Sequence, residues 1–450
     1  MRNMFVHPIS VKRLLPFAIL SGALMGLAAC GDRATLLSSE DTGANPTLPQ
    51  PVNRLIPTVK IAPAKGWPQG AMPTAMAGLT VMPFATGLDH PRWVYVLPNG
   101  DVLVAESNAP PKPDSEKSIK GTVMNMVMGR AGAKAPSANR ITLLRDRDGD
   151  GKAEVRTVFL ENLMSPFGMA LIGNDFYVAN ADSVVKFAYQ PDATSITTAP
   201  VKVVDLPGGP INHHWTKNLI ASPDGTKLYV TVGSNSNVGE RGMAAEEGRA
   251  AIWEVDVKTG AHRIFASGLR NPNGMGWAPS GGALWTVVNE RDEIGSDLVP
   301  DYLTSVKDGA FYGWPYAYYG PKNVDLRVQP PRPDMVAKSV SPDYALGAHV
   351  APLGMAFSNP KTMPAALANG VFVGEHGSWN RNPLSGYKVT FVPFTGGSPS
   401  GKKIDVLTGF TSPEGNAYGR PVGVAFDKQG GLLVADDVGN VIWRVSAAGK

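Results

Sequence analysis

Two adjacent histidines, His213 and His214, stand in a chain of 450 residues that holds only seven histidines. Imidazole ionises near neutral pH, so a histidine at the edge of a polar cleft is suited to take a proton from a substrate hydroxyl. Arg270-Asn271 and Arg420 add guanidinium groups, which grip carboxylates bidentately and stack on flat rings. His90, Ser165 and His349 complete the set. A lone histidine is more often structural than catalytic, so the chemistry depends on whether positions as distant as 90 and 420 meet.

A recurring phrase implies that they do. Asp89-His90-Pro91-Arg92-Trp93-Val94, Ser165-Pro166-Phe167-Gly168-Met169, Asn271-Pro272-Asn273-Gly274-Met275, Ala351-Pro352-Leu353-Gly354-Met355 and Arg420-Pro421-Val422-Gly423-Val424 each run into an apolar stretch, a turn and a second apolar stretch. A sixth copy, Trp215-Thr216-Lys217-Asn218-Leu219-Ile220, replaces the proline and carries the paired histidines just upstream. Repeats of this size mark stacked or radially arranged units. Short β-branched or aromatic runs follow, such as Val102-Leu103-Val104-Ala105, Lys227-Leu228-Tyr229-Val230-Thr231 and Gly431-Leu432-Leu433-Val434-Ala435. Turn phrases such as Pro98-Asn99-Gly100 and Pro223-Asp224-Gly225 precede several of them. With about six units and convincing helices nearly absent, the expected fold is all-β, a six-bladed β-propeller spanning 75–450. The residues ahead of each blade's innermost strand then gather at one mouth of the central channel. Pairing of the stretch near Val81 with the last strand from Val441 would close the ring and remove exposed edges.

The remaining features concern address and partners. Arg2, Lys12 and Arg13 precede an apolar run from Leu14 to Leu27, too short for a spanning helix, that ends Leu27-Ala28-Ala29-Cys30. This resembles a bacterial lipobox: residues 1–29 would be a lipoprotein signal peptide and Cys30, the only cysteine, the lipidated residue. Gly31 after it favours the outer membrane, so the chain is expected in the cell envelope, lipid-anchored and facing the periplasm. Residues 30–74, rich in Pro, Thr and Ser without periodicity, read as a tether. Three of the four net positive charges belong to the signal, which leaves no nucleic-acid footprint. Asp146, Asp148 and Asp150 occupy positions one, three and five of a calcium loop with Gly151 at six, but Thr157 stands where the bidentate Glu belongs; a structural Ca²⁺ is the expectation.

Asn212-His213-His214, the turn at Ser222-Pro223-Asp224-Gly225, Gly268-Leu269-Arg270-Asn271-Pro272-Asn273-Gly274 and Tyr312-Gly313-Trp314-Pro315 together resemble the glucose/sorbosone dehydrogenase family, nearer its sorbosone-dehydrogenase-like branch, over about Gly87 to Val445. The resemblance implies a periplasmic six-bladed propeller that oxidises an aldose or aldehyde with pyrroloquinoline quinone (PQQ) and Ca²⁺, and passes electrons to a quinone or cytochrome. It makes His214 the general base and gives Arg270 a catalytic role as well as a cofactor contact. His213, Asn271, Arg420 and, from the fifth blade, Arg381 would also bind the cofactor. The family's calcium loop falls at Asn289-Glu290-Arg291-Asp292-Glu293-Ile294, without the Gly-Pro step of soluble glucose dehydrogenases, and the tryptophan those enzymes place near His349 has no counterpart. Two other classes compete. A metal-dependent lactonase predicts several channel carboxylates, and a non-catalytic binding propeller leaves the histidine pair without a task.

Overall fold

The structure is a computed structural model that describes residues 32–54, 57–111, 129–132, 135–279 and 281–449. The signal segment and Cys30 lie outside the described residues. The strands form six antiparallel sheets. Blades I to IV begin with the inner strands Pro91–Val96, Met169–Ile172, Leu219–Ala221 and Asn271–Trp277, and blades V and VI with Pro352–Phe357 and Pro421–Phe426. A short α-helix spans Pro333–Lys338.

The recurring phrase is explained by how the inner strands meet. A Cβ on Gly274 would lie 2.7 Å from the Leu353 carbonyl oxygen, and one on Gly423 would lie 2.8 Å from that of Arg92. The residue two places after the proline therefore faces the backbone of the next blade, and glycine allows that approach. Blade III carries Asn218 instead, whose Nδ2 donates to the Asn273 carbonyl at 3.1 Å and bridges to blade IV. In blade I the position is Trp93, which packs on Phe167 with ring centroids 4.9 Å apart.

The ring closes as expected. Leu79–Thr86 pairs with the last strand, Val441–Ala447, with Val81 opposite Val445, so the two chain ends complete blade VI. Thr74–Ala75 adds an outer strand to blade V against Ile404–Thr408.

The segment expected as a free tether behaves differently. From Asp32 it forms an extended strap across blades IV to VI. Val52 N–H donates to the Ile294 carbonyl at 2.9 Å, Lys60 N–H to Trp379 at 2.9 Å and Lys65 N–H to Ala417 at 2.9 Å. Asp41 is buried and accepts from Ala348 N–H at 3.1 Å, while Trp67 Nε1 donates to Asp436 at 2.7 Å. A proline-rich chain without periodicity forms no helix or sheet of its own, yet its unpaired backbone groups and scattered aspartates are free to bond to loops. Composition reads the first property and misses the second.

Candidate active site

Antiparallel register builds the mouth in pairs. Pro91 lies opposite Glu106, Asn271 opposite Asn289, Pro352 opposite Glu375 and Pro421 opposite Asp436. Each residue that leads into an inner strand thus meets the residue that leaves the second strand of its own blade. His90, Ser165, His349 and Ala351 turn the chain into this arrangement with φ of 54°, 44°, 59° and 53°. Non-glycine residues in that region are strained, and such strain concentrates at functional sites.

In blade III, His214 meets Ser234. Its Nδ1 lies 2.8 Å from the Ser234 carbonyl oxygen and 3.0 Å from Ser234 Oγ. A carbonyl only accepts, so Nδ1 carries the proton and Nε2 carries the lone pair. Burial, then the charges of Arg270, His213 and Lys217, hold His214 well below the usual histidine pKa and keep it neutral. The exposed His213 sits edge-on to it, ring centroids 4.6 Å apart. Gly233 makes the geometry possible: a Cβ there would stand 2.5 Å from His214 Cβ and would collide with Asn271 Oδ1.

Blade IV contributes Arg270 and Asn271. The Arg270 guanidinium is buried and fully engaged: Nε donates to the Asn237 carbonyl at 3.1 Å, Nη1 to that of Glu290 at 2.5 Å, and Nη2 to Asn237 Oδ1 and Asp292 Oδ2, both at 3.0 Å. The carbonyls of the loop expected around a calcium ion therefore hold a guanidinium. Asp292 Oδ1 lies 3.2 Å from His349 Nδ1, and the Gly295 carbonyl lies 3.0 Å from His349 Nε2. Burial pulls His349 down, but the Asp292 carboxylate and the Gly295 carbonyl outweigh it and hold the imidazole above its usual pKa. Asn271 Oδ1 is buried without a partner among the described residues.

The far side of the mouth is cationic. Asp437 Oδ2 accepts from Arg92 Nη1 at 2.5 Å, lies 2.8 Å from His376 Nε2 and is 3.6 Å from His90 Nε2. Burial favours the neutral acid, but His376, His90 and Arg92 together hold the Asp437 carboxyl well below the usual range. Burial pushes His376 down to about 4. Arg420 donates from Nη2 to the Ala62 carbonyl of the strap at 3.2 Å, and its guanidinium carbon lies 5.0 Å from the Tyr387 ring centroid. The Nε atoms of Arg92 and Arg420 are both buried and unpartnered. Trp215, next to His214, joins the two sides: the Arg92 guanidinium carbon lies 5.7 Å from its ring.

Most of the residues selected by sequence thus converge, and two groups do not. Arg381 gives Nε to the Ser296 carbonyl at 3.0 Å and places Nη2 at 3.6 Å from both Asp41 and Asp297. Its contacts fasten the strap to a blade IV loop, in contrast to the cofactor contact implied by resemblance. Asp146, Asp148 and Asp150 lie in the turn between Arg140–Arg145 and Val155–Leu160, which the antiparallel meander puts on the face opposite the mouth. Glu154, rather than Thr157, completes that cluster, with ligand atoms within 4.8 Å of one another; Thr157 Oγ1 donates instead to the Thr194 carbonyl at 2.9 Å. Sequence reasoning missed Ser234 and Asp437, and gave no role of its own to Arg92 or, within the loop 289–294, to Asp292. The signal was there as polar residues immediately after each second strand: Ser234-Asn235, Glu290-Arg291-Asp292, Glu375-His376 and Asp436-Asp437.

Comparison with known proteins agrees with this architecture. An uncharacterized protein of Borreliella burgdorferi is 29% identical over 296 residues, covering 63% of this chain and 76% of the relative. A pyrroloquinoline quinone-dependent pyranose dehydrogenase of Coprinopsis cinerea is 22% identical over 431 residues, covering 82% of this chain, which spans 54% of the fungal protein's length. The holo form of the PQQ domain of pyranose dehydrogenase from that fungus superposes with a TM-score of 0.66 at 22% identity, covering 86% of this chain and 100% of the domain. The PQQ-bound aldose sugar dehydrogenase of Streptomyces coelicolor gives 0.54 at 17% identity, covering 83% and 99%. The family profile described as TrAA12-like matches residues 137–304 and 334–448, the larger part of the propeller with His214, Arg270-Asn271, His376 and Arg420, so the chain belongs to the TrAA12-like family.

Proposed function

We propose that the protein is a PQQ-dependent dehydrogenase that oxidises a hydroxyl-bearing carbon of an aldose or a hydrated aldehyde. The observation that carries this reading is a neutral histidine with its proton fixed on Nδ1, facing a wall of arginines across the channel mouth. The mouth fits a flat polyanion: Arg92 and Arg420 each keep a buried, unpartnered Nε–H to donate, while the buried, unpartnered Oδ1 of Asn271 is left to accept from an N–H or O–H of the bound molecule. Arg92, Arg420 and Asn271 would hold the cofactor, with His213 at the exposed rim and Trp215 as a flat wall. When bound, PQQ supplies an electrophilic quinone that accepts the hydride.

The chain's own residues handle the proton. His214 Nε2 accepts it from the substrate hydroxyl as the carbon-bound hydrogen leaves, and burial, with the Arg270 charge beside it, keeps the imidazole unprotonated beforehand. Arg270 positions the loop at Glu290–Asp292 and sets a fixed positive charge near the base, the kind of preorganised field that stabilises developing negative charge. The calcium ion implied by resemblance does not fit the loop as it stands, because Arg270 occupies its carbonyls; no step is assigned to it. Asp292 and Asp437 are likewise committed to arginine and histidine partners rather than left open for a metal, which weighs against the lactonase reading.

Lipid anchoring at Cys30, placement in the cell envelope and transfer of electrons to a membrane quinone or a cytochrome belong to the same proposal. Docking of Asp32 supports it: Asp32 Oδ2 accepts from Ser296 N–H at 2.9 Å. An anchor two residues earlier would hold the propeller close to the membrane. The test is to titrate protein lacking residues 1–30 with PQQ, with and without Ca²⁺, while dye reduction is followed across aldoses and aldehydes. Saturable binding with sugar-driven bleaching of the quinone supports the proposal. No binding at micromolar PQQ overturns it.

A further inference from the structure

We propose that Ser234 is the positioning residue of the base: its carbonyl and hydroxyl oxygens together hold the His214 Nδ1–H, and so present Nε2 to the channel mouth. The inference rests on the reading of His214 as the base. The Ser234 hydroxyl cannot donate to the imidazole, because it donates to the Ser236 carbonyl at 2.7 Å and offers His214 only a lone pair. The Ser236 hydroxyl donates in turn to the Glu246 carboxylate, whose other oxygen accepts from Asn235 N–H at 2.6 Å. Glu246 is buried at the end of the 3₁₀ turn Met243–Glu246. Ser234 N–H donates to the Arg270 carbonyl at 2.8 Å, which ties the same residue to blade IV. Ser234 is thus held by two hydrogen bonds of its own, and its two following residues by Glu246, before it touches His214.

The partner is neutral, and that has a chemical consequence. A carboxylate at Nδ1 would stabilise the imidazolium and raise the base's pKa; a serine orients the ring without doing so. The charged and titratable groups that act on His214 are Arg270 from blade IV, His213 beside it and Lys217 at the start of its own blade, all of which disfavour protonation. Lys217 Nζ donates to the His214 carbonyl at 3.1 Å, so it holds the backbone as well. The arrangement keeps Nε2 free to accept a proton at a pH where a carboxylate-paired histidine is already protonated.

The test uses the mature chain labelled with ¹⁵N. Long-range ¹H–¹⁵N spectra report the tautomer and titration of each histidine, with His214 assigned by its loss in His214→Gln. The expected result is an Nδ1–H tautomer in the wild type. Ser234→Ala, which keeps the backbone carbonyl, should retain the Nδ1–H tautomer but loosen the ring and lower kcat by about fivefold with KM unchanged, as loss of one neutral hydrogen bond implies. Ser234→Thr, which keeps the hydroxyl, should restore kcat. Ser234→Asp should raise the His214 titration midpoint by about one pH unit or more, and the acid limb of kcat with it. An Nε2–H tautomer in the wild type overturns the inference, as does a Ser234→Ala protein with wild-type kcat, or a folded Ser234→Asp protein with an unmoved titration. The spectra need no cofactor. An Nδ1–H signal in a protein that oxidises no sugar defeats the dehydrogenase proposal alone, and an active enzyme with the other tautomer defeats the role of Ser234 alone.

Discussion

Asp437→Asn is the perturbation whose consequence follows most directly from the structure. The Asp437 side chain is 1% exposed and faces Arg92 at 2.5 Å and His376 at 2.8 Å. Arg92, 10% exposed, already has one N–H without an acceptor. Removing the carboxylate charge leaves a guanidinium in a low-dielectric site, and breaking a buried pair in this way costs about 3–5 kcal/mol. Arg92→Met in the same protein removes the stranded cation, so the double variant should regain most of the loss; the coupling in that cycle separates charge compensation from packing. The pH dependence has a definite sign. The folded-state carboxyl is held below its unfolded value of about 4. Its contribution is therefore complete above that pH and is lost only as pH falls through the depressed folded value. The gap between wild type and Asp437→Asn in equilibrium urea unfolding should be full at pH 7 and shrink below about pH 4. A variant within about 0.5 kcal/mol of wild type at pH 7 would refute the argument, since an uncompensated buried arginine cannot be that inexpensive.

Three further outcomes are expected. Gly233→Ala should drive His214 and Asn271 apart while leaving the β-rich circular dichroism intact, and a displacement of about 1 Å at a base lowers kcat about 100-fold; kcat within threefold of wild type would mean that the backbone yields without moving the imidazole. Arg381→Met should speed proteolytic cleavage within the strap while the PQQ dissociation constant stays within about twofold, a shift too small for loss of a charged ligand contact; a tenfold weaker constant would return Arg381 to the cofactor. His349 has a raised folded-state pKa, so its ion pair with Asp292 contributes fully below the unfolded value of about 6.5 and is lost as pH rises through the folded value. Unfolding free energy should therefore slope downward above that pH in the wild type, and more gently in His349→Gln.

The two halves of the mouth differ in how visible they are in the sequence, and the difference is physical. The residues ahead of the inner strands are constrained by packing: Gly274 and Gly423 must meet a neighbouring backbone, and the prolines start a strand whose N–H faces no partner. That constraint recurs once per blade, so His90, Asn271 and Arg420 are found by counting from it. Ser234, Asp292 and Asp437 leave the second strands under no such rule. Their only requirement is to complement whatever charge stands opposite, which differs from blade to blade and leaves no repeating phrase. The strap is hidden for the same reason, since Asp32 and Asp41 are chosen by the loops they bond to rather than by any period of their own.

That division also explains how the mouth presents arginines despite its carboxylates. Asp292 neutralises part of Arg270 and His349, and Asp437 part of Arg92 while the neutral His376 donates to it, so neither acid is free to repel a polyanion. Each acid instead sets the direction of a guanidinium that would otherwise swing into the channel. The register pairing brings each acid to its cation from the same blade or its neighbour, so the cationic wall is built into the propeller before any ligand arrives. Preorganisation of this kind would lower the entropy lost on binding and leave the affinity to Arg420, the one of Arg92, Arg270 and Arg420 whose guanidinium has no carboxylate partner among its described contacts; only its backbone N–H meets Asp436. Arg420→Lys should therefore weaken PQQ more than any other single charge-conserving change at the mouth, because a lysine ammonium cannot keep both the Tyr387 stack and a bidentate grip. If Arg270→Lys weakens binding more in the same titration, the wall is not where the affinity lies.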